Sequence, residues 1–144
     1  MASDATRLAK DFINTINEDI TLYRQLKQIL SEQHQAYIDF DDQCLLNNLS
    51  LQEPLLESLG KHASLRESIM GKLGLPNSRV GVEALLGALP DAVESKVRSQ
   101  WQTLESLIDQ CQEQNQLNAV CSANFQELLG SVFNPNQHTY SAQP

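Results

Sequence analysis

Between Val97 and Val132 the chain steps alternately by four and three residues through Trp101, Leu104, Ile108, Cys111, Asn115, Asn118, Ser122, Phe125 and Leu129. A period near 3.5 keeps one side of a helix against a neighbour along its whole length, which marks a long bundle helix. The middle of this seam is polar, because Asn115, Asn118 and Ser122 take the places of three successive apolar knobs. An amide buried without partners costs about 1–3 kcal/mol, so this layer needs hydrogen-bonding groups from a facing helix.

The same helix has a second apolar side. At about 100° per residue, Leu117, Val120, Cys121 and Leu128 fall well away from the seam, so its last turns are apolar on two faces. One face is internal packing and the other requires a further partner.

Leu dominates the apolar residues, Gln, Glu and Ser are abundant, and aromatic residues make up 6% of the 144-residue chain, a composition that favours helix throughout. The fold class expected is all-α: long antiparallel helices in a coiled-coil-like three-helix bundle over residues 1–133, with a short extra helix. A flexible tail is expected over 134–144. A formal charge of −8 argues against a phosphate backbone or an anionic membrane as partner. No apolar run is long enough for a signal peptide or a spanning helix, which points to a cytoplasmic chain without membrane insertion. The three cysteines sit in apolar helical surroundings, where packing is their simplest role.

Ser3 or Asp4 can cap a first helix running to about Tyr37. Its apolar residues form two adjoining rows, one containing Ile13, Ile16, Ile20, Tyr23 and Leu30, the other Leu8, Phe12, Leu22, Leu26 and Ile29, a width that touches two helices. Asp39, Asp41 and Asp42 follow. Calcium-loop spacing from Asp39 demands glycine and glutamate where Cys44 and Ser50 stand, so capping by Asp41 or Asp42 is the better reading.

A second helix is expected from about Gln43 to Leu73, with a seam of Leu45, Leu49, Leu56, Leu59, Ala63, Met70 and Leu73 interrupted by Gln52 and Arg66. Pro54 predicts a kink near Ser50 to Glu53, or two helices. Arg66 is expected to pair with a carboxylate or to turn outward. The glycines Gly71 and Gly74, with Pro76, end the helix. Arg66 and Leu73 occupy positions that a phosphate loop reserves for glycine and a hydroxyl, so Gly71-Lys72 is a connection. Val82 to Leu89 can form a short helix before Pro90-Asp91 starts the last one.

His34, His62 and His138 lie in separate segments, and neither metal-ligand spacing nor a nucleophile elbow occurs. No catalytic residue, metal or cofactor is expected.

Trp101, Leu104, Cys111, Asn115, Asn118, Leu128-Leu129 and the terminal Tyr140-Ser141-Ala142 resemble the C-terminal half of the flagellar FlgN-type export chaperones, whose pattern is Asn-x-x-Asn-Gly on a helix and a Tyr-rich tail. Leu30-x-Glu32, Arg66 and Leu73-Gly74-Leu75 extend the resemblance over most of the chain. Two departures are Ala119 in place of the glycine, and Gln143-Pro144 after Tyr-Ser-Ala. The resemblance implies a cytoplasmic chaperone of flagellar type III export. Its partners would be hook-filament junction (hook-associated) proteins, bound through their C-terminal amphipathic helix, and the cytoplasmic platform of the export gate, met by the tail tyrosine, here Tyr140. Leu117, Val120, Cys121 and Leu128 supply the spare apolar surface that helix-in-groove binding needs. Two rivals stay open: a coiled-coil adaptor or homodimer using that stripe, and a phosphotransfer bundle centred on His62.

Overall fold

The computed structural model describes residues 2–133, with side chains from 4 to 130. Four helices follow one another: α1 (Ala2–Ile38), α2 (Asp42–Lys72), α3 (Arg79–Gly87) and α4 (Asp91–Phe133). The fold is all-α, as expected.

α1 is the central helix and packs against both α2 and α4, in keeping with its two apolar rows. Contacts of Asp19 with Arg66 and of Ile29 with Asn48 set α2 antiparallel to α1. α4 returns parallel to α1, pairing Phe12 with Trp101, Leu30 with Asn118 and Tyr37 with Phe125. The long helices thus run up, down and up.

The connections carry the expected chemistry. Asp41 caps α2 by accepting a bond from the Cys44 amide at 3.0 Å. Before it, Phe40 adopts φ 53°, unusual for a residue with a side chain, while its ring packs 5.4 Å from that of Phe125. Gly74 ends α2 at φ 71°, and the Leu75 amide reaches back to the Met70 carbonyl at 2.9 Å. Pro54 does not divide α2, which runs through it as one helix with the proline ring on an exposed side.

The seam of α2 departs from expectation. Leu49 and Leu56 are 55% and 50% exposed, and the row facing α1 is Leu45, Asn48, Gln52, Leu55, Leu59, His62, Arg66 and Ile69. Leu45, Gln52, Leu59 and Arg66 belong to the expected seam, and Met70 is buried as expected, whereas Asn48, Leu55 and His62 stand in place of Leu49, Leu56 and Ala63. Half of the inward row is polar, so apolar periodicity selected the neighbouring residues at these positions instead.

Two apolar clusters fill the interior. In the first, Phe12 and Ile16 of α1, Ile69 and Met70 of α2, Leu86 of α3 and Leu104 of α4 are almost fully buried, so every helix contributes. Each such side chain contributes roughly 1.5–3 kcal/mol of transfer free energy. The second cluster, Leu26, Leu30, Leu59 and Cys111, is thinner, and none of the described helices lies over it as α3 lies over the first.

Candidate functional site

Three features above the first core could carry function: a polar layer, a buried ion cluster and the apolar surface of α2 and α4.

The polar layer is fully partnered. Asn118, 3% exposed, donates from Nδ2 to the Leu30 carbonyl at 2.8 Å and to Gln33 Oε1 at 3.0 Å. It accepts from Gln114 Nε2 at 2.9 Å. On the other flank Asn48 donates to the Ile29 carbonyl at 2.8 Å, and Gln52 donates to Gln33 Oε1 at 3.1 Å and to Asn48 Oδ1 at 2.7 Å. Gln33 therefore receives an amide from each flanking helix, and two successive α1 carbonyls are gripped from opposite sides. Asn115 does not join this layer as expected: it is exposed, at the mouth of a cleft. A straight helix drifts about 20° per heptad against a 3.5 repeat, which turns position 115 toward α2 while 118 stays on α1. Ser122 is half-buried beyond it.

The ion cluster was not foreseen beyond Arg66. Asp19, 0% exposed, takes Arg66 Nη1 at 2.6 Å and His62 Nδ1 at 2.5 Å, while His62 Nε2 lies 3.0 Å from Glu18. With a carboxylate at each ring nitrogen, His62 is held by two acceptors, which opposes its use as an open phosphoryl acceptor. Tyr23, next along α1, has its phenol pushed above the ordinary 10.0, first by burial and then by the Asp19 charge, with Arg66 opposing. Only the Arg66 pairing had a sequence signal, since Asp19 meets residues more than forty positions away.

Leu117, Val120 and Leu128 are 46%, 58% and 51% exposed on α4. Cys121, assigned to the same stripe, turns partly inward, with Sγ 3.5 Å from His34 Nδ1, because it sits nearer the α1 contact. Tyr140 lies outside the described residues. On the opposite side of α4 a cleft of about 180 Å³ opens between α2 and α4, floored by Tyr23, Leu26 and Leu30. Among the described residues no group of His, Cys, Asp and Glu is placed to hold a metal ion, and no helix is long and apolar enough to cross a membrane.

Such a molecule is an all-helical bundle whose polar groups lock helix register and whose apolar groups are partly left open. Its sequence matches the family described as FlgN protein over residues 1–139, and the chain belongs to that flagellar family. A crystal structure from Pseudomonas aeruginosa, described as that of a flagella synthesis protein FlgN, is similar, with a TM-score of 0.70 and 25% sequence identity. The match covers 84% of this chain and 91% of that one. No curated protein matches the chain.

Proposed function

We propose that this chain is a cytoplasmic flagellar export chaperone that holds the C-terminal amphipathic helix of hook-filament junction proteins, keeping them unassembled until delivery to the export gate. Family membership supports the flagellar setting. The observation that carries the binding mode is the exposed row of Leu117, Val120 and Leu128 on α4, apolar surface that no other described residue covers. A client helix laid on that row buries it, as helix-in-groove recognition requires. Tyr140 is the proposed contact with the cytoplasmic platform of the gate.

Calorimetric titration with a peptide of the client's C-terminal helix tests the reading. One-to-one binding with a negative heat-capacity change is expected, and Leu117→Asp abolishes it while leaving helix content intact. Unchanged affinity in that variant removes the assignment. Tyr140→Ala is expected to leave the client complex intact and to weaken recruitment to the gate; loss of both places the tail in the client site. The competing adaptor reading takes the same stripe as a dimer interface, and molar mass measured over a range of concentrations separates the two.

A further inference from the structure

The cleft between α2 and α4 continues the seat that α3 already occupies. α3 lies against Met70 of α2 and beside Trp101 of α4, sharing their apolar core. Heptad steps along α2 from Met70 lead through Ala63 and Leu56 to Leu49, and steps along α4 from Trp101 lead through Ile108 to Asn115. Where α3 ends, no described helix covers the continuation of these rows. Leu26 and Leu30 form the floor, with Leu56 and Leu59 on one wall and Ile108 and Cys111 on the other. The exposed Leu49 and Leu56 thus repeat, by heptad steps, the position at which Met70 is buried under α3.

Charge defines the occupant. No residue lining the cleft is charged. Residues 43–60 of α2 and 99–133 of α4 contain no Lys or Arg, whereas Glu53 and Asp109 are exposed, each one position beyond a residue of the cleft wall, Gln52 and Ile108. A helix seated there meets apolar and amide groups below and carboxylates at its shoulders. The 134–144 segment has one aromatic and no helical apolar repeat, so it does not fit that seat.

We infer that the cleft takes one amphipathic helix of a partner protein, aligned end to end with α3, with an uncharged Leu-type face inserted and Lys or Arg on its shoulders. This rests on the reading that the chain holds a partner protein by its helices, and adds a second seat for a further helix of that partner and the charge that helix carries. It is a seat distinct from the Leu117 row.

The test titrates the full chain with three peptides: the client C-terminal helix, a designed Leu-faced helix with Lys shoulders, and its twin with Glu shoulders. Leu56→Asn and Leu117→Asp variants are compared, each first checked for native helix content. The Lys-shouldered helix is expected to bind one-to-one and to protect amides of 52–59 and 108–115 from hydrogen exchange. Leu56→Asn weakens it at least tenfold, Leu117→Asp less than threefold, and the Glu twin binds at least tenfold more weakly. Protection confined to 117–128, or equal binding of the twins with no effect of Leu56→Asn, overturns the seat. A molar mass that doubles with concentration and reverts in Leu56→Asn also overturns it, making the cleft a contact between copies. Client binding lost in Leu117→Asp, with no binding of the Lys-shouldered helix in the cleft, removes the seat and leaves the proposed function standing. Failure of the client peptide beside binding of the Lys helix in the cleft does the reverse.

Discussion

The Asp19 carboxylate and the Arg66 guanidinium meet at 2.6 Å in the α1–α2 contact, with the Asp19 side chain wholly excluded from solvent. His62 Nδ1 meets the same carboxylate from the helix that carries Arg66, one turn away. Removing one member of a buried ion group leaves the others uncompensated, which costs about 3–5 kcal/mol, whereas replacing the whole group by apolar residues is often neutral. Asp19→Ala is therefore expected to lower stability by about 3 kcal/mol or more in urea denaturation. The triple variant Asp19→Leu, His62→Leu, Arg66→Met should recover most of that loss. A triple variant as unstable as the single one would mean that the cluster supplies net stability and not only helix register.

Asn115 and Asn118 have the same chemistry and different surroundings, which gives a direct comparison. Asn118→Ala removes two donated bonds and one accepted bond from a buried site. The Leu30 carbonyl keeps its place in the α1 ladder and Gln33 keeps Gln52, so no acceptor is stripped and the expected cost is about 1–2 kcal/mol. Asn115→Ala, at an exposed position, should fall within about 0.5 kcal/mol of the parent. Equal costs measured by chemical denaturation would restore Asn115 to the buried layer.

Much of this fold is legible in the chain. Long apolar rows mark α1 and α4, and the αL glycine and Asp41 mark the ends of α2, because these signals are local. Half of the α2 seam was legible, at Leu45, Gln52, Leu59 and Arg66; the alternate positions were not, because Asn48 and His62 owe their burial to partners on another helix. Leu49 and Leu56 drew the seam toward themselves because hydrophobicity records that a surface should be covered, not which helix covers it. The same limit applies to the candidate site. The Leu117 row could be read as spare surface from α4 alone, but the cleft exists only once three helices are assembled.

Alkaline pH should unfold the protein more readily, through Cys111 and Tyr23. Burial pushes the Cys111 thiol above its ordinary 9.0, with Lys27 opposing, and its Sγ–H faces the Tyr23 carbonyl at 3.6 Å. Tyr23 is likewise raised above 10.0, by burial first. In both cases the unfolded chain loses its proton at lower pH than the folded chain, so the stabilisation is complete below the unfolded values and declines as pH rises through the folded ones. The urea midpoint is expected to hold between about pH 7 and 8 and to fall above about pH 9. Tyr23→Phe should flatten the upper part of that fall; an unchanged profile would assign it to other groups.

Gly81 and Gly60 both lie inside helices, and their responses to alanine should have opposite signs. Alanine is worth about 1 kcal/mol over glycine in a helix interior when its methyl has room. At Gly60 a Cβ meets nothing within 4 Å, so Gly60→Ala should stabilise the protein by about 0.5–1 kcal/mol. At Gly81 a Cβ would lie 1.8 Å from the Pro76 carbonyl oxygen and 2.9 Å from Met70 Cε. The side-chain contact can yield by a rotamer change, but the carbonyl belongs to the turn that seats α3 on α2, and the backbone itself has to move. Overpacking of that kind costs about 1–3 kcal/mol, more than the helix preference returns. Thermal denaturation is expected to show a lower midpoint for Gly81→Ala and a higher one for Gly60→Ala. If α3 is displaced from Met70 as a result, the Lys-shouldered helix should also bind Gly81→Ala differently, since its seat is the continuation of that contact. A Gly81→Ala variant as stable as the parent would show that the Pro76 turn yields freely and does not fix α3.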